Sequence, residues 1–178
     1  DLFGSAGTGA GARLLGDAIN EILDDTEAET RPCRADALRG KVRVKELAFD
    51  TLAEVTDWRK RGRTAAKQSL KPNEFSLWLG GNHLAALPVL EELGAETLVI
   101  QFDAHLDFVD ERHGVRSGHG NPMRRAAEKP YVTGLTQLGI RNVSSTAREG
   151  YAAARAMGSD IPSGRRIRQL GTHAGSEM

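Results

Sequence analysis

The chain has 178 residues, 39% of them hydrophobic and 5% aromatic, which is long enough for one buried core and makes a single domain over residues 1–178 the default. Its 24 Lys and Arg balance its 24 Asp and Glu, removing the general electrostatic reason to expect nucleic acid or an anionic membrane and pointing to a small-molecule partner. The lone Cys33 excludes an intrachain disulfide and a cysteine-based zinc knuckle; with no signal peptide and no apolar run near bilayer length, a reducing, cytoplasmic setting is expected.

The opening Phe3-Gly4-Ser5-Ala6-Gly7-Thr8-Gly9-Ala10-Gly11 leads into a helical pattern in which Leu14, Leu15, Ala18, Ile19, Ile22 and Leu23 share a face. It reads as a flexible turn and not as a phosphate cradle, because the spacing is not G-x-G-x-x-G and no Gly-Lys-Ser/Thr follows. Residues 24–40 are charged and aperiodic, after which Val42 and Val44 alternate with Arg43 and Lys45 as in a half-buried or edge strand. Asp50 reads as the N-cap of a helix that carries Leu52, Val55 and Trp58 inward, with the basic run Arg59 to Arg63 on its solvated face. Beyond the break at Lys71-Pro72-Asn73, the spacing predicts a short strand over 76–79. A helix over 84–93 follows, with Pro88 bending or delaying its first turn and Gly94 closing it as a left-handed cap.

The nearly continuous apolar run over 97–102 predicts a strand buried on both faces. Asn121-Pro122 starts a short helix through Glu128, and a further strand covers 135–140. Thr146 with Glu149 then forms a capping box for a helix that runs to Met157 and stops at Gly158. Residues 159–178 read as an irregular tail, with Arg165, Arg166 and Arg168 solvated. The alternation of strands and helices predicts an α/β fold with a parallel sheet and no internal repeat.

In such sheets, ligands bind outside the carboxyl ends of the strands. Two motifs fall there: Gly80-Gly81-Asn82-His83 after the predicted 76–79 strand, and Asp103-Ala104-His105-Leu106-Asp107 after the 97–102 strand. An extended Asp-x-His-x-Asp would send its three donors to one side and turn Ala104 and Leu106 away. Imidazole plus carboxylate suits a borderline divalent metal, so a hydrolytic metal site is the leading expectation.

Together with Ser117-Gly118-His119-Gly120 and Leu135-Thr136-Gln137-Leu138-Gly139-Ile140-Arg141, these motifs resemble the ureohydrolases, the family of arginase, agmatinase and formiminoglutamase, over roughly residues 76–157. The resemblance implies a three-layer α/β/α fold around a mainly parallel sheet, here incomplete at the C-terminus. It also implies a binuclear Mn2+ centre that hydrolyses a guanidino compound to urea and an amine through a metal-bridging hydroxide. By the same resemblance His83 would bind the first metal, His105 the second, Asp103 would bridge them, and Asp107 would serve the first while contacting the hydroxide. His119 would carry a proton to the leaving amine, preferred over His113 because Gly120-Asn121-Pro122-Met123 matches the family's continuation. Ser117 would approach the substrate's amino-acid end, which gives arginine a slight preference over agmatine. The family also implies a homo-oligomer for a full-length form.

Two departures accompany the resemblance. Asn82 stands where the family carries an aspartate, which removes a charge near the first metal. The family's downstream Asp-x-Asp-x-x-Asp-Pro, the source of two further ligands, is not found, and Asp160-Ile161-Pro162 does not supply it. Two other readings stay open. One is a truncated, inactive domain with an incomplete metal site. The other is a metallophosphoesterase, whose Asp-x-His and Gly-Asn-His occur here in reverse order and without the intervening Gly-Asp-x-x-Asp.

Overall fold

The computed structural model describes residues 8–24, 40–94 and 96–170; the start of the glycine-rich opening, Cys33 and most of the charged 24–40 stretch lie outside the described residues. Helix α1 (Thr8–Asp24) follows the expected apolar stripe, and Arg13 on it pairs with Glu46 at 2.7 Å. Leu14, Leu15 and Ile22 of that stripe are nevertheless exposed. The strand expected around Val42 and Val44 does not form. The segment has no ladder partner among the described residues and both valines face water, so the alternation lacks the neighbour that a strand requires.

Helix α2 (Leu52–Thr56) begins at a capping box whose N-cap lies one residue after the expected Asp50. Glu54 N donates to Thr51 Oγ1 at 3.2 Å and Thr51 N donates back to Glu54 Oε2 at 3.1 Å, so Thr51 is the cap, while Asp50 only adds its N–H to Glu54 Oε2 at 2.7 Å. Helix α3 (Trp58–Ser69) carries the basic run, which is not simply solvated. Arg59 grips Glu91, Arg61 pairs with Glu54, and Arg63 pairs with Glu92 at 2.5 Å. The Arg59 and Arg63 pairs dock α3 on α4 (Leu87–Glu92), and the Arg61 pair ties it to α2.

Residues 76–79 are irregular and not a strand; Trp78 Nε1 donates to Ala85 O at 2.9 Å, which ties the segment to the turn that follows. That turn is a 3-10 helix over His83–Ala86, so the α-helix is delayed as Pro88 led us to expect. Gly94 is not a left-handed cap; the helix ends with Leu93 turning extended at ψ 140°.

Strands β1 (Thr97–Phe102), β2 (Val132–Leu138) and β3 (Ser159–Asp160) form a parallel sheet in that order, with α5 (Pro122–Ala127) and α6 (Arg148–Ala156) as the crossovers. β3 and α7 (Gly164–Leu170) correct the expected irregular tail for residues 159–170: Ser159 and Asp160 are too short an apolar signal to read, but they pair with Leu135 and Thr136. The capping box of Thr146 and Glu149 does not form either, since Thr146 is buried and Ala147 is the N-cap. Gly158 does stop that helix, at φ +83°.

Leu90, Leu106, Phe108, Met123, Ala126, Leu135 and Ala154 make one core, packed with Val99 against a single face of the sheet. The expectation that β1 is buried on both faces is therefore corrected: Leu98, Ile100 and Phe102 are 76%, 62% and 81% exposed. Helices of the described residues cover only the Val99 side, and the second helical layer of a three-layer fold is not among them. Among the described residues, no helix is long and apolar enough to cross a membrane.

Candidate metal centre

The site forms where β1 and β2 end, as expected for a parallel sheet. Asp103 N donates to Leu138 O at 3.0 Å, extending the ladder one residue past β1, and Arg141 N and Asn142 N both donate to Ala104 O, at 3.0 and 2.9 Å. The two strand-to-helix loops therefore lie side by side. Gly139 permits this approach: it sits at φ +85°, and a side chain there would come within 3.1 Å of Asp103 O. Gly80 serves the other motif, because a Cβ on it would overlap Ala85 at 2.2 Å. Asn82 then caps the 3-10 turn, accepting from Leu84 N at 3.0 Å, and delivers His83 to the sheet edge.

Asp103-Ala104-His105-Leu106-Asp107 is not the uniformly extended segment expected. The chain bends at Ala104 and His105, and His105 N donates to Asp103 Oδ1 at 2.8 Å, a local turn that aspartate side chains favour. Leu106 and Phe108 are fully buried on either side of Asp107. They hold Asp107 in a left-handed conformation at φ +50°, a strained backbone for a residue with a side chain, while its carbonyl accepts from Arg124 N of α5 at 3.3 Å.

The bend sorts the donors. His83, Asp103 and Asp107 offer ligand atoms that all lie within 4.8 Å of one another. His83 Nδ1 contacts Asp107 Oδ2 directly and stands 3.3 Å from Asp103 Oδ2. His105 is not in that group; its Nδ1 lies 3.3 Å from the other oxygen, Asp103 Oδ1. Asp103 thus turns one oxygen to each histidine. The hydrogen bond to Asp107 raises the His83 pKa above the ordinary imidazole value; burial opposes the rise, and the charges of Asp107 and Asp103 add to it.

His105 is held on its far side by Asn142, whose Nδ2 donates to His105 Nε2 at 3.0 Å. The Asn142 amide is oriented by Ser144, whose N and Oγ donate to its Oδ1 at 3.2 and 2.7 Å. Nε2 is therefore the acceptor in the metal-free ring, and Nδ1 carries the hydrogen toward Asp103.

Sequence reasoning missed the groups that hold this loop from below. Gln101 and Gln137 are paired in register on β1 and β2, and both are buried. Gln137 Nε2 donates to Gln101 Oε1 at 2.6 Å and to Leu106 O at 2.7 Å; Gln101 Nε2 donates to His105 O at 3.3 Å; Ser159 Oγ donates to Gln137 Oε1 at 2.7 Å. The signal was a lone glutamine in each of two apolar strands, a polar residue where only a satisfied one is tolerated.

The remaining predicted residues lie on the loop ahead of α5. His119 is exposed and lines a small cleft with Val109, Arg112, Val115 and Asn121. His113, its rival, is exposed at φ +52°. Ser117 Oγ accepts from Arg59 Nη1 at 3.3 Å and lines a separate, charged cleft.

The donors His83, Asp103 and Asp107, with His105 beside Asp103, fit a divalent metal. Comparison with known proteins bears on the family. "Arginase, mitochondrial" of Medicago truncatula is 36% identical over 77 residues, 41% of this chain and 23% of that protein. "Guanidinopropionase" of Pseudomonas aeruginosa is 41% identical over 70 residues, 36% of this chain and 22% of that protein. The aligned stretches thus span about a quarter of these curated relatives. The crystal structure of formimidoylglutamase from Bacillus subtilis superposes on 75% of this chain and 45% of its own, with a TM-score of 0.58 at 24% identity, which is a likeness of fold. The sequence profile of the arginase family matches residues 5–178, nearly the whole chain, and with the parallel sheet and its edge of histidines and aspartates already in view, this chain belongs to the arginase family.

Proposed function

We propose that this chain carries part of the active site of a manganese-dependent hydrolase that splits a guanidino compound, arginine in preference to agmatine, into urea and an amine. One observation carries the reading: Asp103 directs Oδ2 at His83 and Oδ1 at His105, the arrangement of a carboxylate shared by two metal positions. His83, Asp103 and Asp107 would hold one ion, and His105 with Asp103 the other. When bound, such ions supply a water molecule acidic enough to act as a nucleophile near neutral pH.

The chain's own residues do the rest. Asp107 accepts from His83 and keeps that ring at the mouth of the sheet edge, while Asn142 fixes the ring of His105 so that Nδ1 faces Asp103. His119 gives a proton to the leaving amine, supported by its exposed place on the loop ahead of α5. Ser117 contacts the substrate's amino-acid end. A cytoplasmic location and a homo-oligomer belong to the same reading, the first supported by the single cysteine and the second by the open apolar face of β1.

The second reading is an inactive domain with an incomplete metal site, favoured by the count of carboxylates: among the described residues the group holds only Asp103 and Asp107, too little negative charge for two divalent ions. The arginase-family match sets aside the metallophosphoesterase. Urea release from arginine and from agmatine, with Mn2+ added and then chelated, decides between them. Urea that depends on Mn2+ supports the hydrolase; a folded chain that releases no urea, with little or no metal bound, overturns it and supports the second reading. His119→Asn is expected to lower kcat while leaving metal content unchanged.

A further inference from the structure

A second cleft, of about 290 Å³, opens between α3, α4 and α5, and none of the proposed metal ligands lines it. Its walls set Arg59, Arg116, Arg125 and Lys129 against Glu91 and Glu128, an excess of two positive charges. Widening the boundary does not remove the excess. Arg124 arrives with Asp110, and Arg63 with Glu92, one charge of each sign each time. The chain as a whole is neutral, so the imbalance is local.

The cations differ in how far they are committed. Arg59 is spent on Glu91, whose side chain is 3% exposed. Arg125 is 8% exposed; its Nη2 serves Asp110 and Glu128, but its buried Nε meets no hydrogen-bond acceptor. Arg116 is half-exposed, 3.0 Å from Asp110 and 3.5 Å from Glu128, and Lys129 stands 3.7 Å from Glu91. The cleft is several times larger than the roughly 30 Å³ a water molecule occupies in the liquid. We propose that it binds a small oxyanion, a phosphate or carboxylate group, held chiefly by Arg116 and Lys129, with Glu128 as the competing internal anion. Planar guanidinium donors suit such oxygens.

The test is calorimetric titration of the full chain with inorganic phosphate and, separately, with succinate, at an ionic strength fixed by chloride. One saturable site is expected, weakened tenfold or more by Arg116→Ala and by Lys129→Gln, tightened severalfold by Glu128→Gln, and unchanged by Arg13→Ala on α1. Tighter binding of phosphate assigns a phosphoryl group as the natural ligand, and tighter binding of succinate assigns a carboxylate. No saturable heat from either anion overturns the proposal. So does equal weakening in Arg116→Ala and Arg13→Ala, which would mark general charge screening, or a Glu128→Gln chain that binds no tighter.

Discussion

Asp107 meets the His83 ring from a left-handed backbone position between two fully buried residues, so the carboxylate that raises this imidazole's pKa is itself fixed by the core. Protonated His83 stabilises the metal-free fold. That contribution is complete below the unfolded-state value near 6.5 and is lost as pH rises through the higher folded value. Metal requires the neutral ring, so Mn2+ affinity is expected to rise with pH across the same interval, with proton release on binding. In Asp107→Asn the rise should begin at lower pH and reach a weaker plateau. Titrations with Mn2+ between about pH 6 and 8.5 check both; a pH-independent affinity would contradict the role given to His83.

Asp103 and Asn82 flank the same histidine with different duties. Asn82 caps a turn, while Asp103 faces two rings. Asp103→Asn is expected to cost metal affinity at least tenfold more than Asn82→Ala, whose loss is that of a helix cap, about 1 kcal/mol in stability. Metal content after dialysis, measured beside thermal unfolding, separates the two. Equal metal content in both variants would contradict the assignment.

Gln137→Met keeps the side-chain volume but orphans Leu106 O, Gln101 Oε1 and Ser159 Oγ. Unmet buried polar groups cost about 1–3 kcal/mol each before relaxation, so a loss of roughly 2–4 kcal/mol is expected. The chevron or denaturant midpoint should fall. Mn2+ affinity should fall with it even under conditions where the variant is folded, because the released carbonyl of Leu106 belongs to the ligand loop.

Glu91 gives the acid side of the pH profile. Burial alone would raise its pKa, but the hydrogen bond from Arg59, with the charges of Arg59, Lys129 and Arg63, brings it below the ordinary carboxylate value. Its stabilising share is present above the unfolded value of 4.5 and is lost as pH falls through the lower folded one. Glu91→Gln should flatten stability against pH in that acid window. Near neutral pH it should cost about 1–2 kcal/mol, moderated by the partial exposure of Arg59. Urea denaturation at a series of pH values reads both effects.

Elements with strong local signals were legible: the stripe of α1, the runs of β1 and β2, the delay that Pro88 imposes, the stop at Gly158. The Asp-x-His-x-Asp motif also fell on the end of β1 as expected, whereas Gly-Gly-x-His reaches the site from a 3-10 turn and not from a strand end. What sequence could not give depends on partners remote in the chain. The alternation of residues 42–45 and the apolar run of 76–79 look strand-like but find no neighbouring ladder among the described residues, and the two-residue β3 exists only because Leu135 and Thr136 accept it. Thr51 outcompeted Asp50 as a cap by a single hydrogen bond to Glu54. The bend at Ala104 and His105 comes from an aspartate bonding its own backbone, which an alternation argument ignores. The Gln101–Gln137 pair needed the register between two strands 36 positions apart.

β1 speaks to two audiences. Gln101 answers to the ligand loop through its amide, while Leu98, Ile100 and Phe102 on the opposite face answer only to solvent or to whatever covers them. Because the two sets alternate along one strand, solubility and metal competence become separately adjustable. Lysine or threonine can be written into positions 98, 100 and 102 to keep the chain dispersed, and the geometry around Asp103 should not register the change.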